Sequence, residues 1–428
     1  MLIPSIDIQG GRAVQLRQGR VKILDGGDPM EVARGFSRLG EIAVVDLDAA
    51  TGVGDNREII EELVRTYPCR VGGGIRDVDA ALRWLNVGAT RVVIGTAAEP
   101  SMLVGLPRER VIVAVDAWND EVVVEGWRKE TGESVESRIR RLRPYVGGFL
   151  ATFVQNEGTG EGLDIERAKT IRRLVPELEL VVAGGTRSAG EIATLDAIGV
   201  DVQVGRGLYD GSLNPAEIIA TMMWSDRVDG LYSTVVCDES GRALGLAYSS
   251  RRSIERTLET GRVFYESRRR GLWEKGATSG AVQRLVRIDL DCDRDALRYT
   301  VEQERVGFCH LNRWTCWDDG GGIERLERRL GMLGESGASR VEGSYTQKLL
   351  GDRSMLRSKI LEEAGEFVAT DADSVHEAAD LLYFVVTSLV SREVRWRDVV
   401  RELDRRALGT IRRGGDVKPV VAEVEVSS

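Results

Sequence analysis

Up to about residue 220 the chain alternates short β-branched runs with stretches whose apolar residues recur at helical spacing. The runs are IPSIDI, IAVVDLD, CRVGG, RVVIG, VIVAVDA, FLATFV, LVVAGG and VQVG. Near-continuous apolar strands separated by amphipathic helices indicate a parallel sheet covered on its faces. Eight such units predict a closed (β/α)8 TIM barrel in preference to an open, doubly wound sheet. The two halves of this region echo each other, as a duplicated half-barrel would. The first run ends in Asp7 and the fifth in Asp116, while VGGG (71–74) and VIGT (93–96) are answered by VAGGT (182–186) and VQVGRG (202–207).

The alternation stops at about 222–230, and a strand-rich segment follows to about 320 with GLYSTVVCD, RALGLAYSS and RLVRIDLDCD. A charged helical stretch, IERLERRLGML, leads out of it. From about 344 onward apolar positions recur at spacings of three and four in KLLGDRSMLRSKILEEAGEFV and VHEAADLLYFVVTSLV, which predicts helices. The expected organisation is multidomain: a TIM barrel over 1–222, a small α+β domain over 223–335, an all-α helical domain over 336–415 and an aperiodic tail over 416–428.

Composition narrows the function classes. A chain of 428 residues exceeds what one core organises, and 42% apolar residues support ordinary globular folding. No run approaches the roughly 20 apolar residues of a membrane span, and the N-terminus lacks the pattern of a signal peptide, so no membrane partner and a cytoplasmic location are expected. A net charge of −9 argues against nucleic acid as a partner, because phosphate backbones are held by clustered Lys and Arg. Five cysteines are too few and too uneven for a disulfide framework. Cys69 and Cys237 sit in apolar runs and read as core. Cys292, Cys309 and Cys316 fall within 25 residues, beside carboxylates and His310, the composition of a metal site.

In parallel barrels the chemistry lies at the C-terminal ends of the strands, where Asp7 and Asp116 are expected. Two carboxylates facing each other across a barrel mouth suit a proton-shuttling isomerisation, provided their environments separate their proton affinities. The glycines at 72–74, 95, 184, 185 and 205 allow backbone to approach phosphate closely. Gly73, Gly74, Arg76, Gly95 and Thr96 form one expected grip, and Gly184, Gly185, Gly205 and Arg206 the other. Two grips suggest a substrate with two phosphates. LIPSIDIQGGRAVQLRQG, VDLDAATGVGDNREII, VGGGIR, NEGT and VGRGLYDG resemble the phosphoribosylformimino-aminoimidazole-carboxamide ribotide isomerase family over essentially all of residues 1–220. The resemblance implies an Amadori rearrangement of an aminoaldose to an aminoketose, with Asp7 as base, Asp116 as general acid and Thr159 assisting Asp116. Gln15, where the family more often has Arg, and Glu157, in place of the Asp of its DGT motif, depart from the pattern.

In Asp291-Cys292-Asp293-Arg294-Asp295, a strand would place three carboxylates on one face and Cys292 and Arg294 on the other. Oxygen ligands suit Mg2+ and thiolates suit Zn2+, and three cysteines leave a fourth coordination position open, as a catalytic zinc requires. Such a zinc makes hydroxide available near neutral pH, and His310 is placed to move a proton. YESRRRGLWEKGATSG, DCDRDA and CHLNRWTC, within residues 230–317, resemble phosphoribosyl-AMP cyclohydrolase. The resemblance implies hydrolytic opening of the adenine ring, Mg2+ on Asp291, Asp293 and Asp295, and Zn2+ on Cys292, Cys309 and Cys316. It also implies a homodimer whose zinc ligands come from both subunits, and substrate contacts from Ser267, Trp273, Lys275, Thr278, Ser279 and Gly280. Ala281 departs from the usual Asn or His.

In the helical block Glu362, Glu363 and Glu366, then Glu377 and Asp380, recur at spacings of three and four, so each set projects from one helix face. Their apolar neighbours suggest that they face inward in a bundle and hold a cation. The EExxE and ExxD pattern resembles phosphoribosyl-ATP pyrophosphohydrolase. This implies Mg2+ on the five carboxylates and release of pyrophosphate, with Lys348, Arg353, Arg357 and Lys359 available for phosphate charge.

The three resemblances describe consecutive steps on phosphoribosyl nucleotides, so one fused enzyme of histidine biosynthesis is expected, homodimeric through its cyclohydrolase and helical domains. The alternative is a chain active in the two hydrolyses alone, whose barrel is a scaffold or accepts phosphoribosylanthranilate.

Overall fold

The computed structural model describes residues 1–19, 21–304, 307–318, 320–334, 344–370 and 374–410. The division expected at 335/336 and the tail expected over 416–428 lie outside the described residues. The described residues pack as two compact units, one within 1–36, 41–212 and 405–410, the other within 37–40 and 213–404.

The first unit is a closed parallel barrel. Its strands run Leu2–Gln9, Ile42–Asp46, Cys69–Gly72, Arg91–Ile94, Val111–Trp118, Gly148–Phe153, Glu179–Ala183 and Asp201–Val204, each paired to the next and the last to the first. These are the eight runs that the apolar pattern marks. Side chains alternate across each strand. Ile3, Ala43, Ile112, Leu150, Val181 and Ala183 fill the interior, and Ile6, Ile8, Ile42, Val44 and Val71 pack outward with Leu63. Helices on the outside open on side-chain caps: Asp77 accepts from Ala80 N, Asp164 from Arg167 N and Ser188 from Glu191 N.

The half-barrel echo is structural. Strand one is followed by an antiparallel pair, Arg12–Arg17 with Val21–Gly27, and strand five by another, Glu121–Val124 with Lys129–Ser134. Both extend from the C-terminal mouth. At the opposite end Arg70 is buried against Glu41 and lies 2.9 Å from Glu179, while Arg91 reaches Glu41 at 3.1 Å and Glu179 at 3.0 Å. This four-charge cluster lies at the starts of strands two, three, four and seven. It closes the barrel floor without exposing a lone buried charge.

The barrel ends earlier than the expected 222. Helix Pro215–Met222 belongs to the second unit, because Ala216, Ile219 and Met223 bury against Val236, Leu244 and Ile254. That unit holds a four-stranded sheet in the order Ala243–Ser249, Tyr232–Cys237, Ala296–Gln303, Gln283–Leu290, with helix Arg251–Thr260 and the hairpin Phe264–Ser267/Gly271–Glu274 beside it. Tyr265, Leu285, Ile288, Leu297, Tyr299 and Val301 build its core. Helices Gly322–Gly334, Tyr345–Gly351, Arg353–Ala369, Ser374–Val390 and all but the last three residues of Trp396–Ala407 complete the unit. A small cluster of Leu349, Leu356 and Phe384 joins three of them. The expected small sheet domain and helical domain therefore lie within one compact unit.

Candidate active sites

The sixth residue of strand one places Asp7 in the barrel mouth, where burial raises its carboxyl to about 6 against one opposing hydrogen bond from Ser5 Oγ at 3.1 Å. Asp116, at the mouth end of strand five, is raised by burial as well, and Thr152 and Trp127 hydrogen-bond to its carboxyl. Thr152 stands in register with Asp116 on strand six. Trp127 reaches it from the hairpin after strand five, donating Nε1–H to Oδ2 at 2.8 Å. Glu125, Gly126 and Trp127 all have left-handed backbone (φ 56°, 68° and 66°), so strain is concentrated where the indole meets the acid.

A third carboxyl joins them. Glu157 follows strand six, and burial first, then the charges of Asp7 and Asp116, push it up to about 8. Tyr209 is raised by burial and by Asp7, and it packs edge-on against Phe36. Gln15 is buried with its side chain beside the Tyr209 hydroxyl. Its amide oxygen lies so close to Gly205 that a Cβ there would stand 2.5 Å from it.

Thr159, expected beside Asp116, donates to the Asn156 carbonyl at 2.7 Å instead. The paired glycines serve loop packing: a Cβ on Gly73 would lie 2.2 Å from Asp46 O, and one on Gly184 2.6 Å from Phe153 O. Gly74 and Gly185 are left-handed beside them, at φ 70° and 82°. The loops after strands three and seven thus rest on the backbone ending strands two and six, the same arrangement in both halves. Around them Arg76 donates to Ala49 O at 3.0 Å, Arg206 to Gly158 O at 2.7 Å, and Thr96 Oγ1 accepts from Glu125 N at 2.9 Å. Gly95 borders open space, with only Ala114 Cβ at 4.0 Å.

In the second unit the DCDRD run is a turn and not the expected strand. It joins Gln283–Leu290 to Ala296–Gln303, with Arg294 left-handed at φ 67°. The turn still gathers the carboxylates: ligand oxygens of Asp291, Asp293 and Asp295 lie within 4.8 Å of one another. Trp224 pins it, donating Nε1–H to Asp293 O at 2.6 Å. An all-oxygen trio fits a hard cation such as Mg2+. Asp295 is raised by its hydrogen bond to Asp291 and by its acidic neighbours, so the turn repels itself in the absence of a cation.

Cys309 and Cys316 approach each other, and Leu311 N–H and Arg313 favour the Cys309 thiolate. Cys292 is exposed on the turn and forms no common ligand group with them among the described residues. Lys275, expected at the substrate, is buried beside the thiol pair and donates Nζ–H to Phe308 O at 2.7 Å. His310 is exposed, as are Thr278, Ser279 and Gly280. Ser267 Oγ accepts from Arg269 N and Arg270 N at 3.3 Å, and Trp273 packs on Tyr265 at 5.6 Å between ring centres.

On the helices, Glu363, Glu366 and Glu377 bring ligand oxygens within 4.8 Å of one another. Glu363 is buried and raised, first by burial and then by Glu366, with Asp380 adding to the effect. Glu362 pairs with Lys359 at 2.8 Å, and Asp380 faces His376 at 3.3 Å. Three of the five expected carboxylates thus converge, from two helices.

The family model for histidine biosynthesis protein matches residues 1–214. The chain belongs to the histidine biosynthesis protein family. Two further models match this histidine-biosynthesis chain, phosphoribosyl-AMP cyclohydrolase over residues 245–318 and phosphoribosyl-ATP pyrophosphohydrolase over 327–407. Three such segments in one chain mark a multifunctional enzyme of that pathway. The chain is 45% identical over 208 residues to a bifunctional histidine biosynthesis protein of Schizosaccharomyces pombe, covering 48% of this chain and 49% of the relative. It is 39% identical over 254 residues to a trifunctional one of Komagataella pastoris, covering 59% and 30%. An imidazole-4-carboxamide isomerase of Thermus thermophilus is 37% identical over 229 residues, covering 50% of this chain and 97% of the relative. The matches to the two fungal relatives span half of their length or less.

Thr152, Trp127 and Glu157 are barrel-mouth residues that sequence reasoning missed or set aside. Thr152 had a readable signal: it occupies the same strand-end level as Asp116 in FLATFV, an inward position by alternation. Trp127 had none, because hairpin geometry alone brings it to Asp116. Among the described residues no helix is long and apolar enough to cross a membrane.

Proposed function

We propose that this chain carries out three successive reactions on phosphoribosyl nucleotides: release of pyrophosphate from phosphoribosyl-ATP, opening of the adenine ring of phosphoribosyl-AMP, and isomerisation of the resulting aminoaldose to an aminoketose. The observation that carries the reading is that each family-matched segment holds its own cluster of reactive side chains.

In the barrel Asp7 is ionised above about pH 6 and removes the proton, while Asp116, held by Thr152 and Trp127, delivers one. Glu157 keeps its proton up to about pH 8, so the mouth does not have to hold three negative charges. The glycine loops bearing Arg76 and Arg206 flank the mouth and supply phosphate contacts. In the sheet domain Asp291, Asp293 and Asp295 would hold Mg2+, and Cys309 and Cys316 would hold Zn2+ with a Cys292. Exposure of Cys292 away from the pair suits a ligand supplied by a second copy, which supports a homodimer. A zinc ion held there would make hydroxide available near neutral pH. His310, beside Cys309, moves the proton. Glu363, Glu366 and Glu377, with Glu362 and Asp380 at the edge, would hold Mg2+ against the triphosphate. Apolar Leu361, Val368 and Val375 stand 66%, 83% and 81% exposed on the same helices, which supports pairing of two copies there. A cytoplasmic location follows from this metabolism.

Single-turnover assays of the full chain with the aminoaldose ribotide and with phosphoribosylanthranilate test the barrel. Wild type converts the ribotide and Asp7→Asn loses at least about a thousandfold in rate. Equal inactivity of both would make the barrel a scaffold, and conversion of both substrates would make it dual-specific.

A further inference from the structure

The barrel centre is apolar, with Ile3, Ala43, Ile112, Leu150, Val181 and Ala183 meeting there. Strand one breaks this one layer below the mouth. Its inward positions read Ile3, Ser5, Asp7, and Ser5 is only 4% exposed. Burying a hydroxyl without a partner is unfavourable, and an alanine would pack there with no such cost. Ser5 Oγ donates to Asp7 Oδ1 at 3.1 Å and accepts from Gln203 Nε2 at 3.4 Å. Gln203 stands on strand eight, in register with Ile3, so two polar side chains inside the barrel form a chain of hydrogen bonds that ends on the carboxyl of Asp7.

We infer that Ser5, backed by Gln203, is a positioning residue for Asp7: it fixes Oδ1 from below, leaves Oδ2 to take the substrate proton, and favours the ionised carboxylate. This rests on the reading of the barrel as an isomerase with Asp7 as its base. The surroundings make such help necessary. Burial drives Asp7 toward its protonated form, and the Ser5 bond is the influence opposing it. The titratable groups facing Asp7 are Glu157 and Tyr209, and Asp116 faces the same Glu157. None of these supplies a positive charge. A hydrogen bond from a neutral hydroxyl is the means left to keep the base competent near neutrality.

The test is the pH profile of kcat/KM for isomerisation by the full chain from pH 5 to 9. A hydrogen bond to a charged group accounts for about one pH unit of proton affinity. In Ser5→Ala the acid limb therefore moves up by about one pH unit. The rate falls about tenfold below pH 6 and by less than about threefold at pH 8, with KM little changed. Ser5→Thr keeps the hydroxyl and restores the wild-type limb, and Gln203→Leu moves it in the same direction by a smaller amount. A purely structural role would lower the rate equally at every pH. An acid limb unmoved in Ser5→Ala, while Asp7→Asn abolishes turnover, would overturn the inference alone. Turnover that survives Asp7→Asn, or that is missing from the wild-type chain, would overturn the barrel reading and the inference with it.

Discussion

Replacing Glu157 with Gln keeps the shape of the side chain and removes a charge that the barrel mouth holds only at a cost. The carboxyl moves from an ordinary 4.5 to about 8, through burial and the neighbouring Asp7 and Asp116. Below pH 4.5 it is protonated in both the folded and the unfolded chain and nothing is lost. Between 4.5 and 8 the unfolded chain gives up the proton while the folded chain keeps it, so stability falls as pH rises; above about 8 the loss is complete. The full displacement corresponds to about 5 kcal/mol. Water and ions at the mouth reduce it to about 2 to 3 kcal/mol. For a barrel of this size that is roughly 4 to 12 °C in melting temperature. Glu157→Gln should therefore melt with the wild type at pH 4.5 and progressively above it toward pH 8.5. The check is the barrel's unfolding transition in the full chain, followed by circular dichroism at half-unit pH steps. A Gln variant whose advantage is the same at every pH, or absent at pH 8.5, would refute the placement of Glu157 among the two aspartates.

Thr152→Val removes a hydrogen bond from Asp116 and should lower the isomerisation rate about 10- to 100-fold, while Thr159→Val stays within about threefold, as rate assays of the two variants would show. Arg70→Met leaves Glu41 and Glu179 on the barrel floor with Arg91 as their remaining cation, and should cost about 2 to 4 kcal/mol in urea unfolding with KM unchanged. Lys275→Met leaves the Phe308 carbonyl buried without its donor, and should cost about 1 to 3 kcal/mol and lower the zinc content measured by mass spectrometry. Glu363→Gln should reduce pyrophosphate release at least about a hundredfold at saturating Mg2+ and spare isomerisation, which parallel assays on one preparation would separate.

The barrel was legible because burial on both strand faces writes eight apolar runs that only a covered parallel sheet explains. Asp7 and Asp116 were legible by the same rule, standing where the apolar runs end. The threonine that hydrogen-bonds to Asp116 was not legible in the motif, since Thr152 meets it across a strand pair while Thr159 of NEGT places its hydroxyl on the Asn156 carbonyl. The alternation of DCDRD suggested a strand, yet a five-residue turn with left-handed Arg294 gathers the same three carboxylates. Lys275 was expected at the substrate, and nothing in WEKG reveals that the chain folds it against Cys309 and Cys316. Pro215–Met222 has the pattern of a last barrel helix, and only tertiary packing shows that its apolar face meets Val236 and Ile254.

The most direct test of three activities in one chain is a coupled reaction of the full protein with phosphoribosyl-ATP, Mg2+ and Zn2+, its intermediates followed by mass spectrometry. The wild type should run through to the aminoketose. Glu363→Gln should stall at phosphoribosyl-ATP, Cys309→Ser at phosphoribosyl-AMP and Asp7→Asn at the aminoaldose. Two variants stalling at the same intermediate, or any of the three passing through unimpeded, would contradict the account.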